Sequence, residues 1–280
     1  MRLLLPLGRA FFAVALIGLG IEHYVFREFV TGRAPPWPAS IPGGVIWAYA
    51  TGLIFVAVGV SILAGRHARS ATILAATLIC LWALLRNIPV VSASAPLSGA
   101  WTRTGKSLFF VGACLAIAST APAIKSVRST PVFRFLNQTD TFIVVARYCL
   151  ALFFVVSGIQ HFMFVDFVVA LIPQWFPASA VFWAYFAGVA LICAGVGLVI
   201  PATARIAGLL SGLMVFSWVW IVHLPRVFTS MSDAIAIFEA LAVTGLALLL
   251  AGWPDPKVVA VEPGNDAART VIMVNSTGSG

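Results

Sequence analysis

Two histidines define the chemistry open to this chain. His23 sits in Gly20-Ile21-Glu22-His23-Tyr24-Val25-Phe26-Arg27-Glu28-Phe29-Val30, and His161 sits in Gly158-Ile159-Gln160-His161-Phe162-Met163-Phe164-Val165-Asp166-Phe167-Val168. Glycine, isoleucine, histidine, two phenylalanines and valine recur 138 positions apart, and Glu28 answers Asp166. An imidazole changes charge between about pH 5 and 8, so beside a carboxylate it can relay a proton or hold a ligand carbonyl. More polar groups fall at the same level. Arg86-Asn87-Ile88-Pro89 matches Val222-His223-Leu224-Pro225 at an offset of 136, putting Asn87 where His223 stands, and Lys106 answers Glu239 at an offset of 133. The candidate ligand-binding or proton-relay residues are therefore Glu22, His23, Glu28, Lys106, His161, Asp166, His223 and Glu239. A structural role, in which each ring ends a helix and ties down the following loop, stays open beside the chemical one.

Other chemistries find less support. His161 and His223 could bracket a haem as two axial ligands, but the first half offers His23 and Asn87 instead, and no haem is expected. Cys80, Cys114, Cys149 and Cys193 each stand alone in an apolar run. Without C-x-x-C spacing, neither a metal site nor a disulfide framework is expected. No P-loop, GxSxG, HExxH or dinucleotide fingerprint occurs, so no catalytic residue is assigned and enzymatic activity stays an open question.

The elements that must position these groups are membrane helices. The chain is 61% hydrophobic and only 9% charged, with a mean hydropathy of +1.04, against roughly 45–50% apolar residues in a soluble domain. Apolar runs at 8–27, 45–64, 70–90, 105–122, 142–165, 180–200, 204–223 and 234–252 each supply the roughly 20 residues a spanning helix needs. Spanning segments are helices because a backbone in lipid must satisfy its own hydrogen bonds. The expected fold is thus an all-α membrane protein with eight transmembrane helices. They form two tandem four-helix repeats, 1–122 and 142–252, related by a pseudo-twofold axis along the membrane normal. A basic cytoplasmic linker, 123–141, joins them, and a polar tail, 253–280, follows.

The duplication extends along both halves. Trp47-Ala48-Tyr49, Gly52, Gly59, Arg69, Trp82 and Pro89 match Trp183-Ala184-Tyr185, Gly188, Gly195, Arg205, Trp218 and Pro225 at an offset of 136. Shared Trp and Tyr read as headgroup anchors, and shared Gly as close helix packing. The net charge of +8 lies mostly in short loops, which makes it a topology signal and not a nucleic-acid footprint. With the N-terminus inside, 11 basic residues fall on the inner side and 6 on the outer, so both termini are expected in the cytoplasm.

These motifs resemble the DoxX-like family. The shared features are a first helix ending G-I-x-H-[YF], the outer-loop pairs Pro35-x-Trp37 and Pro173-x-Trp175, and a second helix opening Trp-x-Tyr-x-x-Gly. The resemblance covers 9–122 and 147–252, as two fused four-helix units. It implies a multi-pass bacterial inner-membrane protein, an accessory or membrane component of a quinone-linked redox or sulfur/oxidative-stress system. A quinone would be the bound molecule, and the lipid bilayer and a redox partner subunit the partners. Many relatives place an acidic residue shortly after the shared second-helix glycine, where this chain has Gly52-Leu53-Ile54-Phe55 and Gly188-Val189-Ala190-Leu191, so no mid-membrane carboxylate mechanism is expected. The rival classes are a small-molecule transporter and a non-catalytic membrane scaffold.

Overall fold

The computed structural model describes residues 3–30, 37, 41–124, 130–228 and 230–254, and among these all regular structure is helical. Pro35, Lys125, Arg128 and the tail beyond Pro254 lie outside the described residues. Eight long helices follow in order: α1 (Leu4–Phe26), α2 (Gly44–Ala64), α3 (Ala68–Ser92), α4 (Gly99–Thr120), α5 (Asp140–Met163), α6 (Ala180–Val199), α7 (Ala204–Arg226) and α8 (Met231–Gly252). Seven of them are long and apolar enough to cross a membrane. The remaining one, α4, is long enough, but Thr102, Arg103, Thr104, Lys106 and Ser107 make its first turns polar. Its neighbours explain how such a helix is accommodated: α3, α5 and α8 all pack on it, and half of its residues are buried.

The packing is crossed between the halves. Helix α1 lies against α2 and against α8, while α5 lies against α6 and against α4. The third helices stay at home, α3 on α4 and α7 on α8. Helices α4 and α8 therefore fill the middle, around a core that includes Phe12, Leu16, Phe109, Phe110, Leu150, Phe154 and Leu246.

Small residues set how closely these helices approach, as is usual where lipid offers no hydrophobic drive to helix association. A Cβ on Gly20 would come 2.7 Å from the Gly52 carbonyl oxygen, and one on Gly158 would come 2.7 Å from that of Gly188. Gly59 meets the Ala13 carbonyl and Gly195 the Ala151 carbonyl, each at 2.7 Å. Across the halves, Gly8 faces the Gly245 carbonyl at 2.7 Å and Gly112 faces that of Ala146 at 3.2 Å.

Helices α3 and α7 both widen into a π-turn, at Ala83–Asn87 and Val219–His223. A proline follows each turn two residues on. Pro89 and Pro225 have no N–H to give to the preceding turn and their rings crowd it, so the backbone opens and re-aims the residues just before them. Such insertions are frequent at functional positions. The 123–141 connection holds a short helix, Pro131–Leu136, and a second short helix, Val165–Val169, follows α5. Arg69, counted among the inner-side topology charges, is in fact buried. Its guanidinium donates to the carbonyls of Ala121, Pro122 and Leu136, tying α3 to the connection between the halves.

Filling the glycine contacts tests this packing. Gly52→Val and Gly188→Val should each cost about 1–3 kcal/mol through overpacking, read by denaturant titration in mixed micelles. Gly99→Ala, where a Cβ meets nothing within 4 Å, should change stability by less than about 0.5 kcal/mol.

Candidate functional site

The two first-helix histidines are held alike and surrounded differently. In each, Nδ1–H donates to the carbonyl four residues earlier, His23 to Leu19 and His161 to Ser157, both at 2.7 Å. A carbonyl can only accept, so this bond fixes the tautomer and leaves Nε2 with the ring's lone pair. Glycine lets each ring approach its neighbour helix, since a Cβ on Gly52 would lie 2.9 Å from the His23 Cβ and one on Gly188 3.0 Å from the His161 Cβ.

Around His23 the described side chains pack closely. The ring is wholly buried and meets Phe29 and Phe55 edge-on at 6.0 and 5.7 Å. Phe29 stacks on Trp37 at 5.5 Å, Trp82 closes against Phe29 at 5.3 Å, and the Arg86 guanidinium carbon lies 4.4 Å above the Phe29 centroid.

Around His161 the corresponding space is open. Leu191 stands at the sequence position matching Phe55, Val222 at that matching Arg86, and Phe167, the match of Phe29, is 64% exposed. Two neighbouring cavities of about 540 and 350 Å³ result, and His161, Trp218 and His223 line both. The larger is walled by Phe109, Phe153 and Phe154, edged by the exposed Phe164 and Phe167, and carries Thr102, Lys106, Ser157, Gln160 and Glu239. A mostly apolar pocket with a few converging polar groups is the usual form of a small-molecule site.

Several of the polar groups there are held by partners on other elements. Gln160 Nε2 donates to the carbonyls of Leu97 and Ser98 at 2.9 and 3.0 Å. Its Oε1 accepts the Thr102 hydroxyl at 2.7 Å. Nδ1 of His223 meets Asp233 Oδ1 at 3.0 Å, and Arg226 Nε donates to the other oxygen at 3.1 Å. Asp233 accepts from both, which orients the His223 ring and neutralises the buried carboxylate. Lys106 of α4 is ion-paired with Glu239 of α8, joining the two central helices beside the cavity. Those two residues are the pair that match at the 133 offset in the sequence.

Of the eight candidate residues, the structure brings His161, His223, Lys106 and Glu239 together. Glu22 is buried, and its Oε2 has no hydrogen-bond partner among the described residues. His23 is sealed in its aromatic nest. Glu28 and Asp166 do not join the site: both are exposed, because α1 ends in the left-handed Arg27 and the backbone breaks at Phe164 before the short helix that carries Asp166. Sequence reading passed over Ser157, one turn before His161, and took Trp218 for a headgroup anchor where it is a cavity wall. The i−4 spacing from the histidine would have pointed to Ser157.

Residues 150–252 match a sequence-family model described as a domain of unknown function, DUF8561. No curated protein and no solved structure matches the chain. The matched stretch runs from α5 to the end of α8 and so includes His161, Trp218, His223 and Glu239.

Breaking the ion pair on one side should cost more than removing both charges. Lys106→Met is expected to destabilise by roughly 3 kcal/mol because it strands Glu239 in the interior, and adding Glu239→Met should recover most of that loss, as measured by denaturant titration in mixed micelles.

Proposed function

We propose that the chain is a tandem duplication of a four-span, DoxX-like unit, with eight spans in all. The copies are related by a pseudo-twofold axis along the membrane normal and stand in a bacterial inner membrane with both termini in the cytoplasm. The second copy binds a planar, ring-bearing amphiphile of the quinone class in the cavity lined by His161, Trp218 and His223, and serves a redox partner subunit as its membrane component. A ring hydroxyl hands its proton to an imidazole while its electrons leave to that partner. His223, backed by Asp233 and Arg226, has the partners of a proton acceptor.

One observation carries the choice of ligand. In the first half an aromatic ring, that of Phe29, fills the place beside the histidine and the third-helix tryptophan. In the second half the same positions, His161 and Trp218, border open volume. What the first copy supplies from its own chain the second leaves for a guest of like shape. Paired contacts support the duplication: equal glycine approaches, equal histidine bonds, and π-turns 136 positions apart. Six aromatic side chains line the larger cavity, which suits an apolar ring with a lipid-soluble tail and not a hydrated solute.

Calorimetric titration of the purified chain in nanodiscs with decylubiquinone and decylubiquinol checks this function. At least one of the two forms should bind. His161→Ala and Trp218→Ala should each weaken it about tenfold or more, as loss of a ring contact or hydrogen bond in a desolvated pocket does, and His23→Ala should leave it unchanged. Absence of binding by either form would remove the proposal.

A further inference from the structure

Taking the second-half cavity as the ring-binding site, we propose that it recognises its ligand by accepting hydrogen bonds, so that its guest is a hydroxyl-bearing ring of the quinol or phenol type. Donors and acceptors among the lining side chains decide this. Both N–H groups of Gln160 are spent on the Leu97 and Ser98 carbonyls, and the Thr102 hydroxyl proton is spent on Gln160 Oε1. One N–H of the Lys106 ammonium goes to Glu239, so the donors left on the wall are its other protons and the indole N–H of Trp218.

Beside these, the two imidazoles present acceptors. His161 gives its Nδ1–H to the Ser157 carbonyl and His223 gives its own to the Asp233 carboxylate. Neither partner can return a proton to the ring, because a carbonyl and a carboxylate only accept. Each ring therefore keeps a lone pair on Nε2, on side chains that line the cavity. Ser157 Oγ is buried at the same wall with no hydrogen-bond partner among the described residues, and it can turn to serve either role.

A guest carrying only carbonyl oxygens would leave both imidazole lone pairs unmatched in an apolar pocket. A ring hydroxyl satisfies one of them directly. Sites built around a substrate O–H discriminate strongly against analogues that lack it, because the buried partner is left without its bond. The arrangement around His223 strengthens the point: Arg226 fixes Asp233, Asp233 fixes the imidazole, and the hydroxyl meets a nitrogen whose opposite side is already anchored to a carboxylate.

Titration calorimetry of the full chain in phosphatidylcholine nanodiscs tests this with two redox-inert probes, 4-nonylphenol and its methyl ether 4-nonylanisole. They share ring and tail and differ in the O–H. The phenol should bind about tenfold or more tightly than the ether, and decylubiquinol should exceed decylubiquinone in the same direction. In a His161→Leu, His223→Leu double variant the gap should shrink to less than about twofold, as the partners of that hydroxyl are gone. Equal affinity for phenol and ether in the unaltered chain would overturn hydroxyl recognition while leaving ring binding intact. Failure of all four probes to bind would overturn the ring site itself. Because the ether comparison uses the unaltered protein, it decides the matter even if the double variant does not fold.

Discussion

Glycine-to-glycine contact between the first and second helix of each half is the constraint on which the rest depends. A helix backbone can lie this close to another only where neither carries a side chain at the crossing. Gly20 on Gly52 and Gly158 on Gly188 bring the backbones to that distance, and each crossing also leaves room for the Cβ of the histidine one turn further along. The ring that follows gives its Nδ1–H to its own helix in both halves. The His23 ring then meets Phe55 of the second helix and Phe29, while the His161 ring lies 6.3 Å from Trp218 of the third. The π-turns before Pro89 and Pro225 decide which third-helix side chains face each ring.

On that common frame, a few side chains separate a filled nest from an open cavity. In the first half the Arg86 guanidinium lies over the Phe29 face, a cation–π contact worth up to about 2 kcal/mol when desolvated, and Phe55 narrows the space beneath. In the second half Val222 and Leu191 take those places. A valine offers no charge to hold a ring and a leucine leaves more room than a phenylalanine, so Phe167 stays outside. The closed half then has a packing role, and the open half has the capacity to receive a guest.

Much of this was legible in the sequence, for reasons that also mark where legibility stops. The recurrence of G-I-x-H was plain in the sequence, and both imidazoles make the same i−4 bond. Lys106 and Glu239 were visible as matched positions, although only the crossed packing of α4 and α8 turns the match into an ion pair. Glu28 and Asp166 matched equally well and still face outward, because sequence spacing does not say where a helix ends, and the left-handed Arg27 ends α1 just before Glu28. Arg69 entered only the count of basic residues, and it is buried because its guanidinium binds backbone carbonyls. The difference between the two halves was hidden too: it turns on the direction taken by one phenylalanine, which depends on neighbours from other helices.

The most direct test of where a guest lies is photo-crosslinking with an aryl-azide quinone analogue in nanodiscs, followed by peptide mapping. Adducts are expected on α5 and α7, within 153–168 and 214–223, and are expected to be competed away by unlabelled decylubiquinol. Competed adducts at Phe29 or Trp37, or labelling spread evenly over lipid-facing residues, would contradict a binding site in the cavity beside His161.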